Sequence, residues 1–123
     1  MSRAREQTVA AEVFFALGDR TRLSLVQRLS AGDAQSATML AEGAKVTRQA
    51  IVKHLQVLES AGLVRHDKRG RDVLYTLEPQ RLDDARGFLD GISASWDRAL
   101  ERLRLLVEEP PPATRGKAPR SSR

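Results

Sequence analysis

The chain has 123 residues and a formal net charge of +5, with no cysteine and two histidines. That size fits one small domain, and the composition excludes disulfides, thiolate metal sites, cysteine nucleophiles and multi-histidine centres. The basic charge is local: residues 45–71 hold seven basic and two acidic side chains, residues 1–44 five of each, and residues 72–109 five basic against nine acidic. This points to one polyanion-facing surface.

Val9, Val13, Phe14, Ala16 and Leu17 recur at helical spacing up to Gly18 and predict a first helix. Asp19 is placed to cap a second, marked by Leu23, Leu25, Val26 and Leu29 and stopping before Ala31-Gly32-Asp33. Ser36 or Thr38 precedes a short segment containing Met39, Leu40 and Ala41, which breaks at Gly43. Thr47 is a cap for the next helix, 47–60, where Ile51, Leu55 and Leu58 fall at spacings of four and three and Gly62 supplies the stop.

After Gly62 the period changes. Residues 63–67 and 72–77 read as strands around the turn Lys68-Arg69-Gly70-Arg71, a hairpin with a basic tip. Pro79 fits a helix start, and Leu82, Ala85, Leu89, Ile92, Trp96, Ala99, Leu103 and Leu106 alternate by three and four as a heptad seam. From Gln80 to Glu108 such a helix runs ~43 Å, more than the rest of so small a domain can cover, so the seam needs a partner. Leu100 and Val107 broaden the stripe, which predicts contact with the partner's helix and with the first helices together. Residues 110–123 hold four of the five prolines, four basic residues and no large apolar side chain; a disordered basic tail is expected there, leaving 1–109 as the domain.

Two short helices joined by a tight turn and followed by a hairpin make a winged helix-turn-helix. The expected fold is therefore mainly α with a small β-hairpin wing and a long C-terminal dimerisation helix. In the helix 47–60, Gln49, Lys53 and Gln56 project opposite Ile51, Leu55 and Leu58, with Arg48 and Val52 on the flank. Gln and Arg can make paired hydrogen bonds to adenine and guanine edges, Lys53 suits a phosphate, and Val52 can meet a thymine methyl. Lys68, Arg69 and Arg71 on the hairpin suit the phosphate backbone or a minor groove. Thr47, and His54 at the margin of the packed side, complete the candidate DNA-contacting set. Val9, Val13, Leu89, Ile92, Trp96, Ala99, Leu103 and Leu106 form the candidate dimer interface.

The stretch Ala16-Leu17-Gly18-Asp19-Arg20-Thr21-Arg22-Leu23, the pair Leu40-Ala41, the run from Thr47 to Val64 containing His-Leu-x-x-Leu-x-x-x-Gly-Leu-Val, and Gly70-Arg71 with Tyr75 and Leu77 occur in order. Over residues 10 to 107 or so the chain resembles the ArsR family of bacterial winged-helix repressors. The resemblance implies a homodimer with the first and last helices at its interface and the second helix of each helix-turn-helix in a major groove. It also implies repression of the protein's own or a neighbouring operon. Many members sense metals through cysteines on the helix-turn-helix or through Asp and His on the last helix. This chain has Met39 and Leu40 in the former region and no His after His66, so neither a metal site nor another cofactor is expected. Val52 stands where many relatives carry Ser.

Asp83, Asp84 and Asp90 read as a solvated helix face, and nothing resembles a nucleophile elbow or a glycine-rich phosphate loop, so no catalytic residue is assigned. No apolar stretch matches a signal peptide or a bilayer span, and a cytoplasmic protein is expected. The partners expected are an operator duplex and a second copy of the chain, with no membrane; no motif specifies a small-molecule effector. A winged helix that binds protein instead of DNA is the alternative reading of the same pattern.

Overall fold

The computed structural model describes residues 3–108, so the expected tail at 110–123 lies outside the described residues. The elements, in chain order, are α1 (Arg3–Leu17), α2 (Arg20–Leu29), β1 (Gln35–Ser36), α3 (Ala37–Ala41), α4 (Arg48–Ser60), β2 (Val64–Arg69), β3 (Asp72–Leu77) and α5 (Pro79–Glu108). The chain divides into two compact units, one up to Phe88 and one from Leu89 on.

The starts of α2, α3 and α4 each have a side chain that accepts one of the backbone N–H groups left free there. Asp19 accepts from the Arg22 N–H at 3.0 Å, Ser36 from Met39 at 3.1 Å and Thr47 from Ala50 at 3.1 Å. Of the two caps the sequence offered for α3, the protein uses Ser36. Ser36 can do so because it also closes β1, a two-residue strand paired antiparallel to β3 through Gln35↔Tyr75 and Ser36↔Leu74. The sequence pattern carried no sign of that strand. The sheet order is β1-β3-β2.

The core of this unit is aliphatic. Val13 and Ala16 of α1, Leu25, Val26 and Leu29 of α2, Leu40 of α3, Ile51, Leu55 and Leu58 of α4, then Leu63, Val64, Tyr75 and Ala85 are all buried. Burial of a Leu, Ile or Val contributes about 1.5–3 kcal/mol, so the four- and three-residue spacing of Ile51, Leu55 and Leu58 is what holds α4 in place. Val13, expected at a dimer interface, is a correction: it is 0% exposed inside the protomer's own core. Its position on α1 turns it toward α2 and α4, and it has no surface to offer a partner. The second unit is the remainder of α5, on which Leu89, Ile92, Trp96, Leu100, Leu103 and Leu106 are all exposed. No helix among the described residues is long and apolar enough to cross a membrane.

Candidate nucleic-acid interface

With Ile51, Leu55 and Leu58 committed to the core, the helical period leaves Gln49, Lys53 and Gln56 exposed on the other side of α4. The helix is fixed at both ends. Thr47 caps its start, and at its end the Gly62 N–H reaches the Glu59 carbonyl and the Leu63 N–H the Leu58 carbonyl, each at 2.9 Å. This is the Schellman pairing, with Leu58 and Leu63 both buried as its apolar contact. The turn before α4 is held by two arginines. Arg28 of α2 donates to the Leu40 carbonyl at 2.6 Å and the Met39 carbonyl at 3.2 Å, capping the end of α3, and the Arg48 Nε donates to Thr38 Oγ1 at 3.1 Å. Arg28 was not singled out from sequence, because a capping contact twelve residues away leaves no local pattern.

The hairpin is longer than its sequence suggested. Ladder pairing continues to Lys68↔Val73 and Arg69↔Asp72, so the turn is only Gly70-Arg71, with Gly70 at φ +62°. The expected four-residue basic tip is therefore corrected: Lys68 and Arg69 are strand residues. The period of two sends Lys68 to the face shared by His66 and Tyr75 and Arg69 to the opposite one. Arg71 alone of the three sits in the turn, where it lines a groove with Thr38, Met39, Arg48, Val52 and Val73. This groove opens between the helix-turn-helix and the wing, and it brings together Arg48, Val52 and Arg71 from the expected set.

The wing and α4 are clasped at the other end. The His66 Nδ1–H donates to the Glu59 carboxylate, 2.8 and 2.9 Å from its two oxygens, and the His66 ring lies 5.8 Å from that of Tyr75. A carboxylate in the last turn of α4 faces the negative end of the helix dipole, so an imidazole there offsets an unfavourable placement. Burial pushes the Tyr75 hydroxyl up from its ordinary range, the Glu59 charge adds to this, and Arg48 opposes it.

His54 is half-buried. Its Nδ1 lies 3.4 Å from Arg22 Nη1 and 3.8 Å from Asp19 Oδ2. The Arg22 backbone N–H holds the Asp19 carboxyl below the usual carboxylate range; burial opposes this, and the charges of His54 and Arg22 support it. On the first turns of α5, Asp83 pairs with Arg86 at 3.2 Å and Asp84 accepts from Gln80 at 3.1 Å, as a solvated helix face would. Among the described residues no three His, Asp or Glu side chains are grouped so as to hold a metal ion. Of the expected interface residues, Val9 and Ala99 are half-buried, and Leu89, Ile92, Trp96, Leu103 and Leu106 are exposed.

Residues 17–67 match a family described as a helix-turn-helix domain. The HTH-type transcriptional regulator Rv2034 of Mycobacterium tuberculosis is 37% identical over 93 residues, which span 76% of this chain and 83% of that protein. The solved structure of an ArsR-like transcriptional regulator from Rhodococcus sp. RHA1 superposes with a TM-score of 0.75 at 38% identity, covering 84% of this chain and 96% of that one. The chain belongs to the ArsR family. The family's winged helix-turn-helix accounts for every element from α2 to β3, and with it the chain is a DNA-binding transcriptional regulator. Another solved structure, of Mb0332 from Mycobacterium bovis, is described as the homodimeric winged helix-turn-helix DNA-binding domain of a possible ArsR-family transcriptional regulator. It has a TM-score of 0.60 at 26% identity and covers 83% of this chain and 93% of that one.

Proposed function

We propose that this ArsR-family regulator is a homodimeric repressor that reads an operator in the major groove with Gln49 and Gln56, Val52 meeting a thymine methyl. Arg48 and Arg71 follow the adjoining backbone. The observation that carries the reading is the face of α4: three long polar side chains exposed opposite a fully packed stripe, beside a groove lined by two arginines. Thr47 and Lys53 contact phosphates, and Lys68 and Arg69 add charge from the two faces of the wing. Repression follows from occupancy, since a dimer seated over a promoter excludes polymerase.

The dimer is supported by the exposed apolar residues of α5 and by the homodimeric relative. Two-fold symmetry predicts a near-palindromic operator with half-site centres one helical turn, about 10–10.5 base pairs, or a multiple of it apart. Selection of bound duplexes from a random library, followed by titration at several salt concentrations, tests this. A recovered palindrome whose affinity falls steeply with salt is expected, because phosphate neutralisation releases counterions. Recovery of no preferred duplex, or binding indifferent to salt, would favour a protein-binding winged helix.

A further inference from the structure

We infer that Arg22 is a positioning residue for operator binding, holding His54 in the tautomer that carries its proton on Nε2 and so presenting that N–H to a backbone phosphate. The inference rests on the reading of α4 as the DNA-facing helix. A guanidinium has donors only, so a ring nitrogen 3.4 Å from Arg22 Nη1 in hydrogen-bonding geometry must be the acceptor, and Nδ1 is unprotonated. The rival form, with the proton on Nδ1, would set that N–H against a cation; its only compensation is Asp19 Oδ2 at 3.8 Å, beyond hydrogen-bond reach. The single proton of the neutral ring therefore belongs to Nε2, which has no hydrogen-bond partner among the described residues on a side chain still 23% exposed.

Arg22 is itself immobilised. Its Nε donates to the Ala16 carbonyl at 2.6 Å and its Nη2 to the Phe15 carbonyl at 3.4 Å, and its guanidinium carbon lies 5.7 Å from the centre of the Phe15 ring. These contacts cap the last turn of α1, so one planar side chain ties the end of that helix to the ring of a residue next to Lys53. Lysine could keep the charge but not span both sites at once.

The test is a set of full-length variants read by imidazole nitrogen NMR and by operator titration. The neutral His54 ring of the wild type should show the Nε2–H tautomer, and Arg22→Lys should lose it and bind operator roughly tenfold more weakly, the factor a hydrogen bond of about 1.4 kcal/mol represents. His54→Gln, whose amide occupies the Nε2 position and needs no tautomer, should stay within about threefold of wild type. In that background Arg22→Lys should cost less than about twofold, the coupling a double-mutant cycle reads out. His54→Asn places its amide at the Nδ1 position and should bind about tenfold more weakly at an unchanged melting temperature, a comparison that holds even if Arg22→Lys does not fold. An Nδ1–H tautomer in the wild type, or an equal cost of Arg22→Lys in both backgrounds, overturns the proposal. Wild-type protein with the Nε2–H tautomer and no affinity for any duplex overturns instead the reading of α4 beneath it.

Discussion

In the proposed reading, Gln49 and Arg71 divide base reading from backbone holding. Gln49 stands on the outer face of α4, where an amide can pair with both edge atoms of an adenine; Arg71 stands in the two-residue turn of the wing, where a cation suits phosphates or a minor groove. Gln49→Ala should cost roughly 1–3 kcal/mol and relax preference at one position of each half-site, while Arg71→Ala should weaken all sequences evenly and flatten the salt dependence. Competition titration against a panel of single-base variants separates the two; unchanged preference in Gln49→Ala would misplace the reading face. Tyr75 supplies a second handle through pH. Burial raises its hydroxyl above the ordinary value, so the folded state holds the proton more tightly than the unfolded chain. The stability this confers is fully present below pH 10, the ordinary value, and declines as pH rises from there through the raised folded value. Tyr75→Phe should flatten that decline in alkaline unfolding curves, and an unaltered slope would show that another group carries it.

The end of α4 shows how local chemistry sets a helix boundary that then aims a surface. Gly62 adopts φ +78°, and a Cβ built there would sit 2.9 Å from Arg81 Cγ. Gly62→Ala should therefore destabilise by about 1–2 kcal/mol from the left-handed backbone alone, with displacement of Arg81 added. Gly70, at φ +62° with open space around it, should accept Asn within about 0.5 kcal/mol, since Asn tolerates that conformation. Chemical denaturation of the two variants compares them directly, and equal losses would mean that the Schellman closure contributes nothing special. Both glycines were legible as punctuation in the sequence, as were the caps Asp19 and Thr47 and the stripe Ile51, Leu55, Leu58, because each signal lies within four residues of what it controls. β1 escaped notice because two residues carry no period, and the wing's true turn because Lys and Arg read equally well as loop or as exposed strand. Arg28 and Arg22 act across 12 and 32 residues of chain, and Val13 shares its helical spacing with residues that face outward. Those assignments depend on which elements meet, which periodicity does not encode.

Assembly decides whether such an interface can recognise an operator at all, because one winged helix contacts one half-site. In a single protomer Leu89, Ile92, Trp96, Leu103 and Leu106 all lie exposed on α5, with Trp96 62% open to solvent. So many large apolar side chains spaced by threes and fours would be an association site in water whatever its natural partner, and the homodimeric relative points to a second copy. The stripe differs from the sequence expectation at its beginning: Ala85 is 4% exposed and Leu82 packs against the core of the first unit, so the part free for a partner starts at Leu89. Trp96 is the only tryptophan and stands at the middle of that free part. Truncating a buried aromatic costs about 3–5 kcal/mol, and in a two-fold interface the loss is taken twice, so Trp96→Ala should weaken dimerisation by several orders of magnitude. Operator binding should collapse with it although no DNA-facing residue has changed. Sedimentation of the variant at micromolar concentration checks the first outcome, and indole emission of the wild type on dilution checks the burial behind it. Emission already characteristic of water at dimeric concentrations, or a variant that sediments as a full dimer, would move the interface off this face of α5.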